Sequence, residues 1–230
     1  LLWEKLGYCL MKTNYVQEIT LHPDLGLLLT TSGSTGSPKL VRQSYINIQA
    51  NAESIASYLE ITEKDRPITT LSMNYTYGLS IINSHLLSGA AILLTDNTLM
   101  ERSFWDFFKK EDASSFGGVP YTYEMLKKLN FFKMDLKSLQ TMTQAGGKLS
   151  PELHREFADF ARKQNKRFVV MYGQTEATAR MGYLPWDKAT EKYGSMGIAI
   201  PGGELWLQDS EGNKICKPQI TGELVYKGDN

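Results

Sequence analysis

The sequence has no excess of charge of either sign. Its 230 residues include 25 lysines and arginines and 25 aspartates and glutamates, so the formal net charge at neutral pH is zero. Proteins that bind nucleic acids or anionic membrane surfaces usually carry an overall basic charge or a strong basic field. The balance therefore argues against nucleic acid as a partner, and it favours a small ligand bound at a local site.

Cysteine and histidine are also scarce. The cysteines, Cys9 and Cys216, lie far apart in the chain, and the histidines, His22, His85 and His154, show no metal-site spacing. We expect buried or inert thiols in a reducing compartment, and hence a cytoplasmic protein.

Long hydrophobic runs are missing as well. Apolar residues make up 42% of the chain, but no stretch reaches the roughly 20 residues that a membrane-spanning helix needs. The start shows no clear signal peptide. We therefore expect no membrane span. The length and the apolar content are sufficient for the core of one large domain, or of one domain and part of another.

The sequence does contain a loop rich in glycine and hydroxyl groups. Residues 30–39 read Thr-Thr-Ser-Gly-Ser-Thr-Gly-Ser-Pro-Lys, and they follow an apolar run at 25–30 that predicts a buried strand. An amphipathic helix capped by Ser44 is expected next, and α/β proteins bind phosphates at such strand-to-helix loops. The candidate phosphate-binding residues are Thr31, Ser32, Gly33, Ser34, Thr35, Gly36 and Lys39.

A polar surface turn would have the same composition, and it remains an alternative for this loop taken alone. The loop is not a Walker A motif, which has four residues between its glycines and a Ser or Thr after the lysine. Here Gly33 and Gly36 are closer together, and Leu40 follows Lys39.

Beyond this loop, predicted strands and helices alternate. Strands are expected at 66–72, 90–94, 115–119, 139–143 and 167–172, and helices at 78–87, 104–110, 120–129 and 150–163. The alternation predicts an α/β fold with a mostly parallel sheet flanked by helices. After Trp186, glycine-punctuated short strands indicate the start of a β-rich subdomain.

Further motifs occur in a fixed order downstream of the loop. They are Leu-Ser-Met-Asn-Tyr-Thr-Tyr-Gly at 71–78, Ala-Gly-Gly-Lys at 145–148, Tyr-Gly-Gln-Thr-Glu at 172–176, a glycine-rich turn at 193–202 and Thr-Gly-Glu-Leu at 221–224. Together with the loop at 30–39, this series resembles the AMP-forming adenylating enzymes, which include acyl-CoA synthetases, peptide-synthetase adenylation domains and luciferases. The resemblance extends from about Leu25 onward.

The resemblance implies roles for the Tyr-Gly-Gln-Thr-Glu motif. Tyr172, with Gly173, would stack on adenine, Thr175 would donate to a phosphate, and Glu176 would hold the Mg²⁺ that accompanies ATP. An aromatic face, a hydroxyl and a carboxylate suit these three tasks. In the alternative reading, Tyr172 is a core aromatic and Glu176 a solvated loop acid.

The resemblance also implies that Gly146, Gly147 and Lys148 cover the other face of adenine. A plain turn would need the same glycines, and Lys148 stands where relatives often have a small or acidic residue. Val170 stands where many relatives offer an amide to adenine, so that contact must come from elsewhere.

The segment at 71–78 resembles the one that gates the acyl site in acyl-CoA synthetases, which implies that Tyr75, Tyr77 and Gly78 contact the carboxylate substrate. The usual proline, aromatic and histidine are replaced here by Ser72, Asn74 and Tyr75, so the pocket differs from that of the common fatty-acid enzymes. No aspartate stands where amino-acid-activating relatives hold the ammonium. The two tyrosines are equally compatible with a role in the core.

The resemblance implies that ATP and a small carboxylate give acyl-AMP and pyrophosphate, and that CoA or the thiol of an acyl or peptidyl carrier protein then takes the acyl group. We expect residues 1–24 to be the remnant of a preceding segment, 25–186 the ATP-binding subdomain, and 187–230 an incomplete β-rich subdomain. The family's ribose-binding aspartate and C-terminal lysine lie outside this chain, so we expect the fragment alone to be inactive. A kinase or NTPase, or a non-catalytic nucleotide-binding domain, remains an alternative.

Overall fold

The computed structural model describes residues 2–5, 8–12, 14, 19–30 and 39–230. Residues 31–38 of the predicted phosphate loop lie outside this part. The helices are α1 (Tyr45–Leu59), α2 (Thr76–Leu87), α3 (Arg102–Lys110), α4 (Pro120–Lys128) and α5 (Pro151–Lys163). The strands are β1 (Trp3–Lys5), β2 (Tyr8–Leu10), β3 (Leu25–Thr30), β4 (Leu40–Ser44), β5 (Ser115–Gly118), β6 (Thr141–Gln144), β7 (Arg167–Tyr172), β8 (Gly182–Tyr183), β9 (Ile198–Ala199), β10 (Glu204–Gln208), β11 (Lys214–Ile215) and β12 (Glu223–Lys227).

The central sheet has the strand order β5-β6-β7-β8-β9. The first three strands are parallel, with Ser115, Thr141 and Arg167 in register, whereas β8 and β9 pair antiparallel. Helices connect the parallel strands, as parallel pairing requires. The predicted α/β class, a sheet flanked by helices, is thus confirmed, with a parallel centre and an antiparallel edge.

Two segments of this sheet were predicted as strands but are much shorter in the structure. Residues 66–72 and 90–94 contain only single parallel bridges, from Pro67 to Ser115 and from Ile68 to Leu93. Proline has no N–H to donate to a neighbouring strand, which limits pairing at Pro67. The sheet therefore continues beyond β5 as two isolated bridges.

The central sheet has two chemically different faces, because successive side chains of a strand point to opposite sides. On one side, Phe116, Met142 and Phe168 pack against α3, α4 and α5. We call this side the aromatic face. On the other side, Val169 and Met171 pack against α1 and α2. This side, which also buries Asn51, Ser54 and Arg180, is the polar face.

The chain enters the polar face through a hairpin that the sequence did not predict. Strand β3 pairs antiparallel with β4, so a strand stands between the phosphate loop and α1. The strand predicted at 25–30 is confirmed, but its expected burial is not, since Leu29 is buried and Leu28 is 42% exposed. This two-stranded sheet is separate from the central one, and it is only partly covered.

The expected cap of α1 is confirmed. The Ser44 hydroxyl accepts from the Asn47 amide at 3.1 Å, and the Asn47 side chain accepts from the Ser44 amide at 2.9 Å. This reciprocal pair satisfies amide groups that a helix leaves free at its start. It fixes the direction in which α1 leaves the hairpin.

A second antiparallel sheet, with the order β11-β10-β12, follows the central one. The free thiol of Cys216 lies exposed just after β11, so of the two expected alternatives, buried or inert, it is not the buried one. The side chain of Cys9 lies outside the described part. No helix in the described ranges is long and apolar enough to cross a bilayer. The division into three parts stays a prediction.

Candidate active site

A cleft of about 680 Å³ opens at the carboxyl ends of β6 and β7. Its walls come from the loops after these two strands, residues 146–149 and 172–176, and from the turn at 194–196. Ligands of α/β proteins bind at this end of the strands, because the loops there converge. The cleft is therefore the candidate active site.

The loop after β6 requires glycine at position 146. Gly146 has a φ of +80°, and a Cβ atom there would collide with the Tyr75 hydroxyl and lie 3.0 Å from Val119. Both its conformation and its close packing thus exclude a side chain. Gly147 and Lys148 follow it as exposed residues of the cleft wall.

The loop after β7 is equally tight. A Cβ atom on Gly173 would collide with the carbonyl oxygen of Ala179, so the loop folds back on itself there. Tyr172 lines the cleft with 36% of its surface exposed. Thr175, half-buried, and Glu176, exposed, lie in the 3₁₀ turn Thr175–Ala177. The structure thus brings the loops of Gly146–Lys148 and Tyr172–Glu176 together around one cleft.

Two residues that the sequence did not indicate hold this loop in place. The buried Gln43 side chain of β4 donates to the Thr175 carbonyl at 2.8 Å, and the Thr76 hydroxyl of α2 lies 3.4 Å from that of Thr175. Gln43 thereby places the end of β4 beside Thr175. No local pattern distinguishes a buried glutamine in a strand, so only the fold reveals this role.

Asn230 supports the same loop from the other side. Its side-chain amide donates to the carbonyl oxygens of Ala177 at 2.7 Å and Arg180 at 2.8 Å. The neighbouring Asp229 uses its carbonyl oxygen to accept from the Asn47 side chain. The segment after β12 is thereby tied to both α1 and the loop after β7.

The structure separates the three residues predicted to contact the carboxylate. Tyr75 lines the cleft, whereas Tyr77 and Gly78 are buried behind it. The Tyr77 hydroxyl lies 2.8 Å from that of Thr143, and a Cβ atom on Gly78 would collide with the Ser72 carbonyl. Of the two sequence interpretations, Tyr75 has the position of a pocket residue and Tyr77 that of a core aromatic.

The cleft also contains an uncharged histidine that the sequence analysis left without a role. His154 of α5 accepts from the Gly194 amide through Nδ1 at 3.1 Å, which assigns its proton to Nε2. Burial lowers the pKa of His154, so the ring is neutral at pH 7. The charged side chains among the residues that line the cleft are Lys148 and Glu176.

Glu176 is the acidic residue of the cleft wall that is available to a metal. Within the described ranges, no group of three or more His, Cys, Asp or Glu side chains is arranged to hold a metal ion. Mg²⁺ does not need such a group, because it keeps several waters and binds one or two carboxylates together with substrate phosphates. The donor set therefore fits a magnesium ion that arrives with a nucleotide.

A helix-flanked sheet with a cleft at the carboxyl ends of its parallel strands is a common architecture of nucleotide-binding domains. The family model for the AMP-binding enzyme matches residues 10–230. The chain therefore belongs to the AMP-binding enzyme family.

Several curated proteins are similar to the chain. The 4-hydroxybutyrate–CoA ligase 1 of Metallosphaera sedula is 28% identical over 94% of this chain and 38% of its own length. The indoleacetate–CoA ligase of Aromatoleum aromaticum is 30% identical over 89% of this chain and 39% of its own length. The chain thus spans about two fifths of the length of these relatives.

Solved structures agree with this assignment. O-succinylbenzoate coenzyme A synthetase from Bacillus subtilis in complex with AMP has a TM-score of 0.77, with 27% identity, over 88% of this chain and 40% of its own. The same enzyme in complex with ATP and a magnesium ion has a TM-score of 0.76, with 26% identity, over 88% of this chain and 41% of its own.

Proposed function

We propose that the protein containing this chain activates a carboxylic acid with ATP, giving acyl-AMP and pyrophosphate, and then transfers the acyl group to the thiol of CoA. Membership of the AMP-binding enzyme family supports this reaction class. Relatives are named as CoA ligases for 4-hydroxybutyrate, oxalate and indoleacetate. Because these names share CoA but not the acid, we propose CoA rather than a carrier protein as the acceptor.

The observation that carries the proposal is the grouping of three side chains around one cleft. Tyr172 offers an aromatic face, Thr175 a hydroxyl and Glu176 a carboxylate, all within one short loop. Gly146 and Gly147 form the facing wall without side chains. We propose that adenine lies between Tyr172 and the two glycines, and that the phosphates extend toward Thr175, Glu176 and the loop at 31–39.

In the first step, a carboxylate oxygen attacks the α-phosphorus of ATP. The bond from that phosphorus to the bridging oxygen breaks, and pyrophosphate leaves with the electron pair. In the second step, the CoA sulfur attacks the acyl carbonyl and AMP leaves. The protein supplies no nucleophile, so its contribution is to align the reactants and to stabilise phosphate charge.

The chain's own residues divide this work. Thr175 donates to a phosphate oxygen, with its position held by Gln43 and Thr76. Glu176 would hold the Mg²⁺, which neutralises phosphate charge when bound. The uncharged hydroxyls of the loop at 31–37, together with Lys39, would bind the β and γ phosphates. The ribose-binding aspartate and the lysine that the family resemblance implies would complete the site.

Replacement of Glu176 by Gln in the full-length protein tests this assignment. We expect carboxylate-dependent pyrophosphate release to fall about 100- to 1000-fold, as when one charge-stabilising group is removed from an active site. The thermal midpoint should not change, because Glu176 is exposed. Glu63→Gln, at an exposed acid outside the cleft, is the matched control.

Product analysis in the same assay separates the rival activities. AMP and pyrophosphate support adenylation, whereas ADP and phosphate would identify a kinase or NTPase. Near-normal pyrophosphate release by the Glu176→Gln protein would contradict the role given to this residue.

A further inference from the structure

Arg180 is a buried cation that the proposed reaction does not use. Only 1% of its surface is exposed, which makes it the largest fully buried side chain in the described part of the chain. Its guanidinium carbon lies 4.0 Å from the centre of the Tyr77 ring. Arginine is rarely buried unless a partner compensates its charge.

No such partner is found among the described residues. The Nε atom of Arg180 is buried without a hydrogen-bond acceptor. None of the ion pairs between described residues includes Arg180. The face of an aromatic ring compensates a cation only in part. Among the described residues, the Arg180 guanidinium therefore has an aromatic contact but no anionic partner.

Arg167, in the same region, is an arginine whose side chain does have hydrogen-bond and ion-pair partners. Both residues border a small internal cavity of about 20 Å³ on the polar face. Arg167 donates to the Thr141 hydroxyl at 3.0 Å and to the Leu59 carbonyl at 2.9 Å, and it pairs with Glu60 at 3.1 Å. Arg167 thus has a structural role that Arg180 lacks.

Arg180 lies directly behind the candidate active site. A Cβ atom on Gly173, which lines the cleft, would be 2.9 Å from the Arg180 Cα. On the inner side, the guanidinium covers Tyr77, and Tyr77 meets Tyr75 edge-on with 6.2 Å between ring centres. Tyr75 forms part of the cleft wall, so it separates the cleft from the Tyr77–Arg180 pair.

Tyr75 is held less firmly than Tyr77. Its side chain is 37% exposed, and within the described ranges its hydroxyl makes no hydrogen bond. Tyr77, in contrast, is 2% exposed and is fixed through Thr143. A substrate that displaces the Tyr75 ring would therefore extend toward Arg180 along the Tyr77 ring.

On the basis of the proposed function, we propose that Arg180 binds a second anionic group at the far end of the acid, and that the preferred substrates are short dicarboxylates. The reacting carboxylate remains in the cleft near Thr175. The distal carboxylate accepts from the Arg180 guanidinium and completes the missing pair, in the geometry that arginine favours. The adjoining cavity holds about one water-sized group, which excludes long chains.

Wild-type full-length protein gives the first test. Carboxylate-dependent exchange of labelled pyrophosphate into ATP is measured with acids matched in length, namely succinate against butyrate and glutarate against pentanoate. We expect kcat/KM to be higher for the diacid of each pair by at least about tenfold, as a single charged contact provides. Equal values, or a preference for the monoacids, would overturn the proposal.

Arg180→Met then assigns the preference to this residue. We expect kcat/KM for the diacids to fall on the order of 100-fold, because a buried charged partner is lost. The matched monoacids should change less than about threefold, since they make no contact with the guanidinium. Arg180→Lys, which keeps the charge but not the fork of donors, should retain part of the diacid activity.

Two further measurements separate binding from structure. An arginine retained for folding would lower the thermal midpoint when replaced, whereas removal of an uncompensated buried charge leaves it unchanged or raises it. Arg155→Met is the matched control, because Arg155 also covers a tyrosine ring, at 5.0 Å from the centre of Tyr193, but is exposed. It should leave the diacid preference intact.

The outcomes distinguish the two proposals. If no acid supports exchange, the proposed function fails. If monoacids support exchange and diacids do not, only the role of Arg180 fails. If Arg180→Met does not fold, the wild-type preference and the Arg180→Lys protein decide the question, and a wild-type enzyme without preference refutes the inference.

Discussion

The two faces of the central sheet are built from different side chains. On the aromatic face, Phe131, Phe157 and Phe168 are fully buried, and the ring centre of Phe157 lies 5.8 Å from that of Phe131 and 5.9 Å from that of Phe168. On the polar face, Asn51, Ser54 and Arg180 are buried, and each has an atom without a hydrogen-bond partner among the described residues, whereas on the aromatic face His154 has such an atom. A buried polar atom without a partner lowers the stability of the fold, so its presence calls for an explanation such as a functional role.

This difference indicates that one face mainly provides stability and the other mainly shapes the binding site. The aromatic face lies below α3, α4 and α5, and it buries large apolar rings, whose removal from water stabilises the fold. The polar face lies below α1 and α2, and Tyr77 and Arg180 on this side adjoin the cleft. Substitutions on the first face should therefore reduce stability, and those on the second should reduce activity.

The largest expected effect on stability is that of Phe157→Ala. Phe157 is 0% exposed, and its ring centre lies 4.8 Å from those of Tyr123 and Phe132. Loss of such a ring typically costs about 3 to 5 kcal/mol. Ile55→Ala, at a 1% exposed residue of the polar face, should cost about 2 to 4 kcal/mol. Urea unfolding of the full-length protein measures both, and a larger loss for Ile55→Ala would contradict the division between the faces.

Two tyrosines that contact Thr143 from opposite faces sharpen the comparison. Tyr123 donates to the Thr143 carbonyl at 2.7 Å, and the Tyr77 hydroxyl contacts the Thr143 hydroxyl at 2.8 Å. Tyr123→Phe should cost about 1 to 1.5 kcal/mol of stability, the usual contribution of a buried hydrogen bond. Tyr77→Phe should cost less, because the Thr143 hydroxyl can rotate whereas the Thr143 carbonyl is fixed in the strand.

Their effects on activity should be reversed. Tyr77→Phe is expected to lower adenylation, whereas Tyr123→Phe should leave it unchanged, as measured by pyrophosphate release at matched protein folding. An equal loss of activity in both variants would show that the aromatic face also shapes the site.

Loss of a helix cap should have a smaller effect on stability, of nearly equal size on the two faces. Ser44 caps α1 on the polar face, and Ser150 caps α5 on the aromatic face by accepting from the Leu153 amide at 3.2 Å. Each Ser→Ala change should cost about 1 kcal/mol. Ser44→Ala should cost slightly more, since the reciprocal contact of Asn47 is also lost. Thermal unfolding compares the two, and a negligible effect at Ser44 would exclude the capping box.

The smallest effect concerns acidification. Burial lowers the pKa of His85 on α2 and of His154 on α5 below the ordinary value of 6.5. The unfolded chain therefore takes up protons near pH 6.5 that the folded chain does not. The stability that both rings contribute above pH 6.5 is lost as the pH falls through their lower folded pKa. We expect the free energy of unfolding to decrease toward acidic pH, and we expect a smaller decrease in His154→Gln. If the slope of the free energy of unfolding against pH were the same in this variant, His154 would not be buried as a neutral ring.

Local patterns were sufficient for the helices. Ser150 and Pro151, followed by apolar residues at helical spacing, predicted α5, and the structure confirms its start and its buried stripe. The same logic predicted α4 from Pro120 and the strand β7 from its β-branched centre. These elements succeed because a helix start, a stripe or a short apolar strand depends on neighbours within a few residues.

Contacts between distant residues could not be predicted. Strand β4 has no alternating pattern, and it exists because β3 pairs with it. Gln43 reaches Thr175 across a separation of 132 residues, and Asn230 reaches Ala177 across 53. No feature of the sequence near these positions shows the partner, so the loop after β7 was predicted without the residues that support it.

The sequence by itself determined the class of this protein: the α/β alternation, the order of the motifs and the resemblance to adenylating enzymes all depend on residue types at fixed spacings. Tertiary structure alone decided that Tyr75 lines the cleft while Tyr77 lies behind it, and that Arg180 is buried with no anion beside it among the described residues. The burial and the charge pairing of a side chain depend on the residues that the fold places around it. They cannot be predicted from its neighbours in the chain.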